Sequence, residues 1–354
     1  MSSFVYNGLP ARVIFGFGAV RQLEAEIDRL GIKRVLVLAT RRQKINAERT
    51  ADLLGSKAAG VFADAVRHTP VDVTERALAT VTRLGADGTL AIGGGSTTGL
   101  GKAIALRTDL PQIVVPTTYA GSEMTPILGE TKDGAKTTIR NLKVLPETVI
   151  YDAELTLSLP PDISGPSGIN AIAHAVEGLY AQDRNPVMSL LAESGIRALA
   201  MALPVIARAP QDREARINAL YGAWLCGMCL GSVGMALHHK LCHTLGGSFD
   251  LPHAETHAVV LPQAVAYVAP AAPEAMVAVA RALGASDAAQ GLYDLAGTVG
   301  AKRSLRELGM PESGIDKATD LALANPYWNP RPLERAGVRA VISRAWSGEP
   351  PIAP

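Results

Sequence analysis

"LAIGGGSTTGLGKAIAL", residues 90–106, decides how the chain is read. An apolar run, three glycines, hydroxyl residues and a helix-forming stretch describe a strand that passes into a helix across a glycine loop. Glycine lets backbone approach a phosphate closely, and the unpaired amides of a helix's first turn face an anion. The loop is not a Walker A motif. Counting back from Lys102, Ser96 stands where its first glycine belongs, and Ala103 replaces the magnesium-binding hydroxyl. It also misses G-x-G-x-x-G, because Thr98 follows Gly93 and Gly95 where the last glycine is required. The expectation is a pyrophosphate cradle built by Gly94, Gly95, Ser96 and Thr97. A second loop, "VVPTTYAGSEMT" (114–125), adds Thr117, Thr118, Ser122 and Thr125 after another strand. Two such loops at the carboxyl ends of parallel strands are where a dinucleotide lies.

The flanking sequence supports that fold. "RVLVLAT" (34–40), "GTLAIGGGS" (88–96), "PQIVVPTT" (111–118) and "ETVIYDA" (147–153) read as strands, and "RVIFGFGAVRQLEAEIDRLG" adds an earlier strand and a helix ending at Gly31. Near-continuous apolar strands between helices indicate a parallel sheet covered on both faces. After "DAELTLSLPPDIS" long segments with helical spacing take over. The reading is an α/β, Rossmann-like dinucleotide-binding domain over 1–155 and an all-α domain over 156–354, whose ending "GEPPIAP" is expected to fray.

Composition bounds the function. The 354 residues are 48% hydrophobic and 19% charged, with Lys+Arg 34 against Asp+Glu 33 and a net charge of +1. No basic stripe suggests nucleic acid. The start lacks the pattern of a signal peptide, and no apolar stretch is read as long enough for a membrane span. A cytoplasmic location without nucleic-acid or membrane partners is expected. Cys226, Cys229 and Cys242 are an odd number in a large chain, which argues against a disulfide framework, and they read as buried core thiols.

The second chemical signal is histidine. In "SGINAIAHAVEGLY" (167–180), Asn170 and His174 share a helix face, and "ALHHKLCHTLGGSFDLPHAETH" (236–257) supplies five more imidazoles. With an acid at 170 this would be a carboxylate–imidazole cage for a divalent cation. The chain has an amide there.

Taken together in order along the whole chain, GGGS, PTT-x-x-GSE-x-T and the histidine-rich helix resemble the iron-containing (group III) alcohol dehydrogenase family. The resemblance implies its fold, shared with dehydroquinate synthase, and a homodimer. In metal-dependent relatives the ligand positions are an Asp and three His, falling here on Asn170, His174, His239 and His253. His243 matches a histidine beside the nicotinamide. "NPYWNPRPLERAG" and the glycine loops resemble the branch that reduces the C=C bond of maleylacetate, a keto-dicarboxylate, to 3-oxoadipate late in aromatic-ring degradation. That branch implies no metal. The catalytic set expected on this basis is His243, His253, His239, His174 and Lys240. Asn170, His174, Lys240, Asn325 and Tyr327 are expected at the substrate, and Arg331 is a weaker candidate for its carboxylates. His238 and His257 serve either packing or support, and His68 at most borders the cofactor. Thr40 and Lys143 complete the cofactor set. Because "VLVLATRRQ" has Arg41 and Arg42 and no acid after Thr40, both NADH and NADPH are expected. Two alternatives remain: a metal-dependent alcohol or polyol dehydrogenase, and a lyase resembling dehydroquinate synthase.

Overall fold

In a computed structural model, residues 4–133 and 135–352 are described. The described chain divides into two compact units, residues 8–158 and residues 159–352, with residues 4–7 belonging to the second. The division falls after Ser158 rather than after residue 155.

The first unit is an α/β layer structure. Its strands are β1 (Arg12–Gly16), β2 (Val35–Leu38), β3 (Ala58–Phe62), β4 (Gly88–Gly93), β5 (Gln112–Pro116), β6 (Ile127–Lys132), β7 (Ala135–Arg140) and β8 (Thr148–Asp152), and its helices α1 (Leu23–Arg29), α2 (Lys44–Leu54), α3 (Val71–Leu84) and α4 (Gly95–Thr108). Six strands form a sheet in the order β1-β8-β5-β4-β2-β3, and every pairing in it is parallel. Alternation along the strands sorts the core into two halves. Val35, Val37, Leu90, Ile92, Ile113 and Val115 pack with α1 and α2. Leu36, Leu38, Ala91 and Val114 pack with α3 and α4. The chain leaves β2 for one edge and β4 for the other, with α2 and α4 on opposite faces. The carboxyl ends of β2 and β4 therefore flank the crevice where open α/β sheets bind ligands. The expected strand 88–96 stops at Gly93, because Gly95 already belongs to α4. β3 and the β6–β7 hairpin were not expected.

The second unit is helical: α5 (Pro161–Tyr180), α6 (Pro186–Arg208), α7 (Arg213–Ser232), α8 (Leu237–Phe249), α9 (His253–Val268), α10 (Pro273–Leu283), α11 (Ala288–Thr298), α12 (Gly314–Leu323) and α13 (Arg335–Ser347). α5 is buried around its whole circumference from Ser164 to Tyr180, which marks a central core helix. It packs against α6, α7 and α9. α6 corrects the expectation that no stretch is long enough for a membrane. An 18-residue window within its 23 residues reaches a mean hydropathy of 1.6 and passes by length and composition. Met188, Ile196, Leu199, Leu203 and Ile206 on its inner face are core residues. α8 turns off α7 by 95°. Part of the expected frayed tail is tied down, since Gln263 donates to the Glu349 carbonyl and Tyr293 to that of Gly348; residues 353–354 lie outside the described residues.

Candidate active site

In the α/β unit the glycine loop is shaped by close neighbours. A Cβ at Gly93, whose φ is +149°, would lie 2.6 Å from the Gln43 side-chain oxygen and press on the Thr97 hydroxyl. One at Gly94 would lie 3.0 Å from Thr118. Gly94 caps α4, so the amides of Gly95 and Ser96 in the first turn have no carbonyl of the helix to pair with. Beside them is Ser122, 3.8 Å from the position of a Gly95 Cβ, with a buried hydroxyl that lacks a partner. Free first-turn amides and an orphaned hydroxyl at the carboxyl edge of a parallel sheet fit a pyrophosphate. Thr117 accepts from Gln43 at 3.1 Å and Thr40 contacts Gln43 at 3.5 Å, so both line the same edge.

Three expected cofactor residues do not face that groove. The Thr97 hydroxyl donates back to the Gly94 carbonyl at 2.8 Å and the residue is fully buried. Thr125 is also buried, with its hydroxyl oxygen 2.8 Å from the Lys102 ammonium. Lys143 lies at the opposite edge of the sheet. Its ammonium is 3.4 Å from Asp109, the residue that ends α4, and its carbonyl meets Gln112 at the start of β5. Position in the sequence could not say which end of the sheet it would reach.

Lys102, the lysine of a failed Walker motif, is instead a buried staple. Its ammonium donates to the carbonyls of Ser122, Thr125 and Ile127 and to the Thr125 hydroxyl at 2.6–2.9 Å. Burial pushes it down to about 7, while the charge of Glu123 works the other way. It fixes the loop that presents Ser122.

Asp64 revises the basis for cofactor choice. It follows β3, the sheet neighbour of β2, and pairs with Arg41 at 2.8 Å and Arg76 at 3.0 Å. An acid is present after all, supplied by the adjacent strand and matched by two guanidiniums. NADPH should still support turnover within about tenfold of NADH. Asp64→Asn should move the ratio of kcat/KM values severalfold towards NADPH, and an unchanged ratio would show that these arginines do not meet the 2′-phosphate.

In the helical unit six of the seven histidines form one connected cluster. α5 supplies His174; the first two turns of α8 supply His238, His239 and His243; and α9 supplies His253 and His257. Ring centroids are 5.1 Å apart for His174 and His239, 5.0 Å for His239 and His257, 4.5 Å for His253 and His257, and 6.2 Å for His243 and His253. His174, His238, His239 and His257 are buried, whereas His243 and His253 are exposed at its rim. Burial, then neighbouring imidazoles, holds His174, His238 and His257 well below the usual histidine range, so they are neutral. His238 Nε2 and His257 Nδ1 share a hydrogen bond of 2.9 Å. His257 is thus hydrogen-bonded within the cluster. Buried ring nitrogens of His174, His239 and His257 have no partner.

Sequence reasoning missed Glu177. It lies seven residues beyond Asn170 and three beyond His174, on their helix face, and is wholly buried. Its carboxylate accepts from His239 Nδ1 at 2.6 Å, from the amides of Ala236 and His238 at 3.0 and 2.8 Å, and from the Tyr180 hydroxyl at 3.4 Å. Asn329 and Asp183 accept further amides of the turn into α8, those of Leu237 and Gly234. An acid within the apolar body of the helix, well past its first turn, was the available signal.

The remaining candidates divide. The Lys240 ammonium is 5.6 Å from the Tyr327 ring centre, and the Tyr327 hydroxyl is buried without a partner, its pKa raised by burial. Asn325 and Tyr327 line a pocket of about 380 Å³ with Asn329 and Arg331. Arg331 braces that loop: it donates to the Tyr267 carbonyl at 2.8 Å and stacks 4.3 Å above the Tyr267 ring. Cys226, Cys229 and Cys242 are free and buried.

The profile described as "Iron-containing alcohol dehydrogenase" matches residues 10–153, and "Fe-containing alcohol dehydrogenase family, C-terminal" matches residues 165–346. The chain belongs to the iron-containing alcohol dehydrogenase family. Similar members include maleylacetate reductases from Rhizobium sp. (strain MTP-10005), 58% identical over 99% of this chain and 100% of the relative, and from Sphingobium indicum, 58% identical over 99% of each. Among solved structures, maleylacetate reductase from Agrobacterium tumefaciens has a TM-score of 0.96 at 57% identity, covering 99% of this chain and 100% of that one. A 1,3-propanediol oxidoreductase retains a TM-score of 0.91 at 25% identity, over 98% and 100% of the two chains.

The family's name raises iron, and the donor set does not fit it. A divalent cation needs donors converging at about 2.0–2.2 Å, with anionic charge to offset its own. This family member has an amide at 170, His253 is exposed, and Glu177 is turned to His239 and backbone amides. The metal-ligating trio that comes together among the described residues is His238, Cys242 and His257, not the family's positions. Two of its nitrogens already hydrogen-bond to each other, and burial pushes the Cys242 thiol up.

Proposed function

We propose that this family member reduces the C=C bond of maleylacetate with NADH or NADPH, giving 3-oxoadipate, without a metal. The observation that carries the reading is the six-imidazole cluster with Asn170 in the place of an acid. Identity of 58% to maleylacetate reductases supports it.

The amides of Gly95 and Ser96 and the hydroxyl of Ser122 would hold the cofactor's pyrophosphate. Bound there, a reduced nicotinamide supplies a hydride. In a conjugated enone the hydride enters at the alkene carbon remote from the ketone, and the negative charge spreads over an enolate. Neutral imidazole N–H groups, fixed by burial, stabilise such a delocalised anion without a Lewis acid. An isolated ketone concentrates charge on one oxygen, where a metal helps most. The Lys240 ammonium and the unpartnered Tyr327 hydroxyl suit the substrate's carboxylates. His243 and His253, exposed at the rim, connect the cluster to solvent protons. A cytoplasmic homodimer completes the reading; the free, buried thiols suit a reducing compartment.

The test is NADH oxidation with maleylacetate before and after exhaustive chelation. One NADH should be consumed per substrate at an unchanged rate, whereas a lyase would regenerate its NAD. Loss of activity on chelation with rescue by zinc or iron would overturn the metal-free reading. Asn170→Asp should raise the metal content of the purified protein, because it returns a charged oxygen to the ligand position.

A further inference from the structure

We propose that Glu177 is a positioning residue for the reduction, acting through His239. The proposal rests on the reductase reading above and deepens it. Glu177 is inside the protein, and each of its carboxylate oxygens has a backbone amide and a side chain as partners. These bonds lock its orientation. An ionised carboxylate can only accept, so the 2.6 Å contact requires the proton on His239 Nδ1. Nε2, on the other side of the ring, is left as the nitrogen free to react. It is buried and unpartnered, and the His239 ring centre lies 5.1, 6.2 and 5.0 Å from those of His174, His243 and His257.

One carboxylate therefore fixes both the tautomer and the plane of His239. The same carboxylate holds the amides opening α8, so the helix that carries His239 and the ring itself are referred to one group on α5. When Nε2 carries a proton, Glu177 balances the ring's charge. In the second half of the reduction the Nε2–H bond breaks and a C–H bond forms at the enolate carbon next to the ketone. The enolate's electron pair makes that bond, the C=O re-forms, and His239 returns to the neutral Nδ1–H form against Glu177. Solvent, reached through the exposed His243, restores the proton. Buried carboxylates that orient a catalytic imidazole in this way are known to be worth several orders of magnitude in rate when the wrong tautomer results.

Two measurements test this. In 15N-labelled protein, the ring signals of His239, assigned by their loss in His239→Gln, should show Nδ1 protonated in the resting enzyme at pH 8. This readout needs no turnover, so it stands even if maleylacetate proves not to be the substrate. Then Glu177→Gln, which keeps an acceptor for the His238 amide but can set an NH2 against His239 Nδ1 and the Ala236 amide, should lower kcat on the order of 10²–10³ with KM changed less than about fivefold. NADH affinity should stay as in wild type. In a His239→Gln background the same exchange should add little, because its route is already gone. A resting His239 that carries its proton on Nε2 and none on Nδ1, or a Glu177→Gln enzyme within threefold of wild-type kcat, overturns the proposal. So does a full additional loss in the double variant, which would make Glu177 a support of α8 alone.

Discussion

Between pH 7.5 and pH 5.5 the helical unit should lose stability steeply, by about 4 kcal/mol near the lower end. His174, His238 and His257 are the cause. Burial, and then the imidazoles packed around them, depresses all three below the unfolded value near 6.5. Above that value neither state binds the protons, and the native state carries no penalty. As the pH falls below it, the unfolded chain takes up protons that the native site refuses. Each histidine then costs about 1.4 kcal/mol per pH unit until its folded value is reached. Lys102, at about 7, is mostly protonated in both states near the lower end of this window, and the side-chain carboxylates of the unfolded chain titrate below it. Domain stabilities are typically 5–15 kcal/mol, so the effect is a large share of the whole. Urea midpoints across this range, read by helical circular dichroism, measure it. Equal midpoints at both ends would mean that the cluster is open to protons.

Gly93→Ala should be the most damaging single methyl in the α/β unit, at roughly 3–5 kcal/mol. Two costs combine. At φ +149° an L-residue is strained, and the added carbon meets the Gln43 oxygen at 2.6 Å and the Thr97 hydroxyl. Neither neighbour can retreat easily, because Gln43 is held by Thr117 and Thr97 by Gly94. Moving them distorts the turn that aims the first amides of α4, so NADH binding should fall with stability. Gly101→Ala is the control. It lies inside α4 with ordinary contacts at 3.5–3.7 Å and no left-handed backbone, and should gain up to about 1 kcal/mol. Fluorescence titration with NADH and urea unfolding compare the two. Wild-type behaviour in the Gly93 variant would show that the turn is not under constraint.

Those contrasts indicate where the sequence was informative. The strands β2, β4, β5 and β8 and the loops after β4 and β5 were legible, because unbroken Val/Ile/Leu runs ending in Gly, Ser and Thr have few other uses. β3 was not: "AAGVF" is a half-buried edge strand with three small residues and little β propensity. The β6–β7 hairpin had a signal in "KDGAK" that went unused. Resemblance marked the histidines by position. It could not show that His257 is hydrogen-bonded to His238, since that pairing depends on how α8 meets α9. Glu177 is 62 positions from His239, and no local pattern links them. Lys143 and Asp64 failed for a common reason: periodicity gives the faces of a strand but not which loops meet at its ends.

Glu177 also changes how the loss of an acid at position 170 is understood. The interior is not stripped of charge, because one carboxylate remains two helical turns along the same face of α5. A carboxylate already accepting from three N–H donors is a poor match for a dication. Under the proposed reading the site is charged from water alone. Such an enzyme is ready once folded, draws on no cellular metal supply and has nothing that a chelating metabolite could remove.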